Sequence, residues 1–224
     1  MTAQDESTAV TTKCTMLLLS LDKQPYFNEQ FAQLIDSLAD RATLKRGSKP
    51  QSTLTFLSSN TPDAILITDP ALTKAKFSAV LDSVKSYVLN GGTVVLAGHF
   101  SSFMKPMDIG RWFSSKWGLP WESGDYHRTT VHLNSQAQAL PLKGLPSSYS
   151  QKAVFLKNVA SEAAWYLPSQ ESRTESHVFA PTPVDNRQTP VAFDAIGKGH
   201  LGYIGDVNGE EGSMAVVLAM CGLA

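Results

Sequence analysis

The chain lacks a long apolar run, an excess of charge of either sign and a useful number of cysteines. Its longest strongly apolar stretch, Met16 to Leu21, is far too short to cross a bilayer, so no membrane partner is expected. Residues Met1 to Thr12 carry no basic segment followed by an apolar one, so no export signal is read there and a cytoplasmic address is expected. Nineteen Lys plus Arg stand against twenty Asp plus Glu, a formal net charge of −1. Without a broad positive field the chain has little with which to hold a nucleic-acid backbone, and nucleic acid is not an expected partner. The two cysteines, Cys14 and Cys221, are too few for a disulfide framework and too far apart for a metal-binding pair, which agrees with a reducing compartment. No His-x-His or His-Glu-x-x-His spacing occurs, and no cofactor or resident metal is expected.

What is present is an ordinary globular composition, 42% hydrophobic and 17% charged, over 224 residues. That length suits one domain, expected over residues 13–224, behind a polar and aperiodic stretch at 1–12 read as a disordered tail. Apolar runs and helical periodicities then alternate. Cys14 to Leu21 reads as a buried strand, and Phe27, Phe31, Leu34, Ile35 and Leu38 mark an amphipathic helix from about Pro25 to Leu44. Leu54 to Leu57 reads as a short strand and Asp63 to Asp69 as a clear one. The helix marked by Phe77, Val80, Leu81, Val84 and Val88 stops at Asn90-Gly91-Gly92, before a further strand at Thr93 to Ala97. The middle is less regular. A short helix is read at Ile109 to Trp117, a strand at Thr129 to Leu133, a loop at 141–150, strands at Ala153 to Val159 and Glu162 to Leu167, and a surface excursion at 169–189 with a strand at Val178-Phe179. Strands at Val191 to Ile196 and His200 to Gly205 and an apolar helix from about Glu210 to Met220 close the chain. The alternation implies an α/β fold with a mainly parallel sheet.

Ligands of such sheets bind at the carboxyl ends of the strands. The residues expected there are Asp22, Asp69, His99 and Asp206, with Glu210 and Glu211 just beyond the last. Asp at a strand end equally serves to cap backbone N–H groups, and that reading stands beside the functional one for Asp22, Asp69 and Asp206. Gly98-His99, after a Gly-Gly pair and a five-residue strand, has the layout of an elbow that exposes one side chain. Ser101 and Ser102 follow the elbow. A His99/His127 pair with Asp69 or Asp206 offers a divalent metal mixed nitrogen and oxygen donors. Trp112, Trp117, Trp121 and Tyr126 offer either a sugar-stacking wall or an interface.

The stretches Gly91-Gly92-Thr-Val-Val-Leu-Ala-Gly-His99 and Gly197-Lys-Gly-His-Leu-Gly-Tyr-Ile-Gly-Asp206, with the order of elements, resemble the class I glutamine amidotransferase-like superfamily. Within it the likeness is nearest to ThuA-like domains, where a glycine-rich strand ending in His precedes a Trp-rich stretch and a second His; here these are His99, Trp112, Trp117, Trp121 and His127. The resemblance implies a three-layer, flavodoxin-like sandwich. It also exposes a departure, because a glutaminase of that superfamily carries a cysteine at the elbow and a His-Pro-Glu motif after the last strand. This chain has His99 at the first position and Asp206-Val207-Asn208 at the second.

The expectation is a domain without glutaminase chemistry that binds a small polar, sugar-like ligand at the carboxyl edge through Asp22, His127, Ser101, Glu211 and Trp121. Whether it also catalyses is left open; a hydrolase or isomerase would use His99 as general acid/base, oriented by Asp206 or Asp69. Two alternatives stand beside it: a homodimeric structural protein joined through the Trp-rich segment, and a metal-dependent hydrolase.

Overall fold

The structure is a computed structural model that describes residues 13–139 and 144–224. The tail expected at 1–12 and residues 141–143 of the expected loop lie outside the described residues. The chain order begins β1 (Thr15–Leu19), α1 (Phe27–Gln30), α2 (Ala32–Arg41), β2 (Thr43–Gly47), α3 (Pro50–Ser59), β3 (Ala64–Ile67), α4 (Ser78–Leu89) and β4 (Thr93–Leu96). It continues with α5 (His99–Phe103), α6 (Pro106–Trp112), β5 (Glu122–Leu133), β6 (Ser148–Lys157), β7 (Ala164–Leu167), β8 (Val191–Ile196), β9 (Gly199–Ile204) and α7 (Glu211–Met220).

Among the described residues nine strands form one sheet in the order β2-β1-β3-β4-β9-β8-β7-β5-β6. The first five are mutually parallel and follow the flavodoxin-like order, with the reversal of strand order between β1 and β3. The remaining pairings are antiparallel, so the sheet as a whole is mixed. Successive residues of β1 serve opposite faces: Met16 and Leu18 pack with α1, α2 and α7, whereas Leu17 and Leu19 pack with α4, α5 and α6. Both faces being covered is why the central strands read as unbroken apolar runs rather than alternating ones.

The antiparallel extension curls back over the carboxyl edge. Val154 N donates to Gly205 O at 2.9 Å and Val207 N to Lys152 O at 3.0 Å, which brings β6 against the chain leaving β9. A Cβ on Gly205 would lie 2.0 Å from Val154 O, so only glycine permits that approach.

Several local readings change. The helix expected over Pro25 to Leu44 is two helices, parted at Phe31, and residues 43–47 leave it to form the edge strand β2. Leu54 to Leu57 belongs to α3, which Pro50 starts at its first turn. Val178-Phe179 is an exposed turn region rather than a strand; the bridge of that excursion joins Arg173 to Pro183. Trp112, Trp117 and Trp121 are buried in the core on the α4 face, so they form neither a sugar-stacking wall nor an exposed dimer contact.

Candidate functional site

The end of β4 shows how the chain treats its elbow. Gly98 takes φ +63°, and a Cβ there would also press on the Phe27 ring at 3.2 Å. The turn throws His99 inward, onto the first position of α5, where it is 2% exposed. The rings of Tyr26, Phe27, Phe31 and Phe103 surround its imidazole edge to face, with centroids 5.2, 5.3, 5.3 and 5.1 Å away. Nε2 lies 2.9 Å from Gln30 Oε1, so with that oxygen as acceptor Nε2 carries the proton; buried Nδ1 has no partner among the described residues. Burial in this apolar box pushes the His99 pKa down and holds the ring neutral. The exposed elbow histidine expected from the sequence is therefore enclosed.

Asp206 is also buried, at 3% exposure, and acts as a backbone cap. Its Oδ1 accepts from Asn208 N at 2.8 Å and its Oδ2 from Glu210 N at 2.7 Å, shaping the loop that starts α7. Desolvation raises its pKa, against the lowering effect of those N–H donors. Ser101 is buried and donates to the Gly205 carbonyl at 3.1 Å, so its hydroxyl is tied to backbone. Glu211 is exposed in the first turn of α7, while its neighbour Glu210 pairs with Arg128. His127, on β5, stacks on Phe155 at 4.4 Å, and burial lowers its pKa against the opposing charge of Asp125. Trp121 packs on Phe113 at 5.0 Å. Among the described residues no hydrogen bond or ion pair joins His99, His127, Asp69 and Asp206, so the expected His–Asp constellation does not assemble. Nor do three His, Cys, Asp or Glu side chains gather as metal donors among the described residues.

A different arrangement occupies the ends of β1 and β3. Asp69 is 4% exposed; its Oδ1 accepts from Ala71 N at 3.0 Å and its Oδ2 from Asp22 N at 2.9 Å, so one carboxylate stitches the two strand ends together. Desolvation raises its pKa, partly offset by those two donors. Asp22 is ion-paired to Lys74, which holds its carboxyl below the ordinary range. Beyond them opens a cavity of about 420 Å³, lined among others by Asp22, Asp69, Thr73, Lys74, Lys105 and Asp108. Two of these residues, Asp22 and Asp69, are read from the sequence as strand-end positions. Thr73, Lys74, Lys105 and Asp108 are not, because they come from loops whose return to the strand ends no local pattern signals.

No protein-family model matches the chain, and no curated protein matches it in sequence. Solved structures do match in fold. A ThuA-like protein from Bacteroides uniformis superposes with a TM-score of 0.55 at 14% identity, over 97% of this chain and 94% of that one. A ThuA-like protein from Parabacteroides merdae gives 0.54 at 12% identity, over 95% and 90%. A β-galactosidase from Bacillus circulans gives 0.56 at 12% identity, and this chain, matched over 94% of its length, spans 31% of that one. At these identities the likeness is one of fold.

Proposed function

We propose that this chain is a ligand-binding domain of the glutamine amidotransferase-like kind, without glutaminase chemistry, and that its small polyhydroxy ligand sits in the cavity between the ends of β1 and β3. The observation that carries this reading is position. The cavity lies where the strand order reverses, the place at which doubly wound sheets leave a crevice between diverging connections. Its 420 Å³ falls within the range of about 300–1,000 Å³ for small-molecule sites. Its walls combine ammonium donors, a threonine hydroxyl and carboxylate acceptors with the apolar side chains of Phe103 and Met104, and Asp22 and Lys74 are already paired, so a neutral polyhydroxy ligand meets polar partners of both kinds and apolar surface for its carbon faces.

The absence of a thiolate nucleophile supports the same reading. Cys221 is buried at the end of α7 with its thiol pushed up to about 12 by desolvation, and Cys14 precedes β1 at the opposite edge of the sheet. His99, at the elbow, is walled in by aromatic rings and cannot reach a ligand without disassembling them.

Isothermal titration with glucose, galactose and mannitol tests the proposal. Saturable binding of at least one, weakened by Lys105→Glu and untouched by Lys116→Ala on the remote exposed turn, is the expected result. Heats that are absent for all three, or indifferent to Lys105→Glu, would remove the cavity from consideration.

A further inference from the structure

A second concavity lies on the antiparallel extension, away from the β1/β3 crevice. An open groove of about 1240 Å³ runs between β5 and the returning segment 169–182. Hydrogen bonds lay one arm of that segment along β5: Glu175 N donates to Arg128 O at 2.8 Å, Thr129 Oγ1 to Arg173 O at 2.7 Å, and Ser172 Oγ to Thr130 O at 3.0 Å. The arm then folds back, with Thr174 N donating to Thr182 O and Thr182 N to Thr174 Oγ1, each at 2.9 Å. At its tip Val178 N and Phe179 N both donate to Ser176 Oγ at 3.1 Å.

This well-bonded tip nevertheless leaves Val178 81% and Phe179 76% exposed, and Tyr126, which also lines the groove, is 57% exposed. Apart from Tyr126 and the lip at 178–181, the walls are polar. Lys152, Arg128 and Arg173 line it together with Glu171 and Glu175, and Arg128 is ion-paired to Glu210, so the Lys, Arg and Glu side chains leave almost no net charge. A polyanion finds no attracting field there. A protein partner needs a contiguous apolar centre, which a single lip does not supply. The volume also exceeds the roughly 1,000 Å³ upper range of single small-molecule sites.

We infer that the groove binds a neutral oligosaccharide chain, whose ring faces pack on Tyr126 and Phe179 while its hydroxyl groups meet Lys152, Glu171 and Arg173. Phe179 supplies an apolar platform that loses exposed area on binding, and Tyr126 supplies a second beside the Lys152 ammonium, which lies 5.2 Å from its ring centroid. The mixed donors and acceptors suit hydroxyls, which need both. This site is independent of the β1/β3 cavity.

Titration of the whole chain with β-1,4-linked hexasaccharides of glucose, mannose and galactose, and with the parent monosaccharides, tests the inference. One hexasaccharide is expected to bind at least about tenfold more tightly than its monosaccharide. Phe179→Ala and Tyr126→Ala, both at exposed positions, are each expected to weaken it by about three- to tenfold with the far-UV spectrum unchanged. No binding of any hexasaccharide at millimolar concentration, or binding indifferent to both substitutions, overturns the assignment. So does self-association in sedimentation equilibrium that Phe179→Ala abolishes, because it would give the lip to a second copy of the chain.

Discussion

The end of β4 and the ends of β1 and β3 share one edge of the same parallel sheet, yet the chain treats them in opposite ways. At β4 the crevice is filled: α1 and the residues flanking it lay Tyr26, Phe27 and Phe31 over His99, and α5 adds Phe103. At β1 and β3 the connections diverge and a cavity stays open, its remaining wall formed by Phe103, Met104, Lys105 and Asp108 from the segment that follows β4. Polar groups persist in both places but do different things. His99 is satisfied on one nitrogen and kept neutral by apolar rings, whereas Asp22 and Lys74 pair with each other at a half-exposed rim. Sharing a sheet edge therefore does not make a residue part of a site; what covers the strand end decides.

The contrast can be tested in order of expected effect. Phe27→Ala removes a ring that is 1% exposed and roofs His99, and should destabilise the fold by about 3–5 kcal/mol in urea denaturation. A loss below about 1 kcal/mol would mean that the elbow is not sealed as described. Lys74→Ala strips the β1/β3 cavity of a charged donor. A sugar or polyol found to bind there should lose about 1.5–3 kcal/mol, roughly ten- to a hundredfold in Kd by calorimetry. Equal affinity in mutant and parent would place the ligand elsewhere.

His99→Phe keeps the aromatic packing and gives up the Gln30 contact, for an expected cost of about 1 kcal/mol at neutral pH. Its sharper signature is in pH dependence. Burial sets the His99 pKa below its ordinary 6.5, so between those two values the unfolded chain binds more protons than the folded one. The stability this contributes is fully present above 6.5 and is lost as the pH falls towards the folded value. The mutant should consequently lose stability less steeply than the parent on acidification below 6.5; identical slopes would show a His99 that titrates freely. Asp69, Asp206 and His127 are common to both proteins and cancel in the difference. Asp22→Asn should matter least to folding, by about 0–1 kcal/mol, since the Lys74 pair is half exposed and screened by water. A larger loss in thermal unfolding would reveal the pair as a strut of the cavity rather than a feature of its rim.

The sequence made legible those elements whose burial is two-sided. β1, β3 and β4 stand out as apolar runs because helices cover both of their faces. β2 left no such mark. As an edge strand it has one neighbour, its residues Thr43, Lys45 and Arg46 are exposed, and charged side chains of this kind protect an edge from pairing further. The helix α3 reads as a strand for a related reason: its buried position is Thr53, a polar residue, while Leu54, Phe56 and Leu57 are only half buried, so the apolar letters alone do not show the helical face. Among site residues, the capping reading of Asp69 and Asp206 follows from local chemistry and is what their backbone partners show. The enclosure of His99 does not, since it depends on rings some seventy residues earlier in the chain.

By itself the sequence determined the alternation of strands and helices, the α/β class with parallel strands, and the supply of Asp and His at strand ends. Each is a matter of local periodicity and of which residues satisfy free backbone groups. Only the tertiary structure decided which strand end stays open. That outcome depends on the path of connections between distant elements, on a glycine at 98 that turns His99 inward, and on a strand reversal that leaves room between β1 and β3.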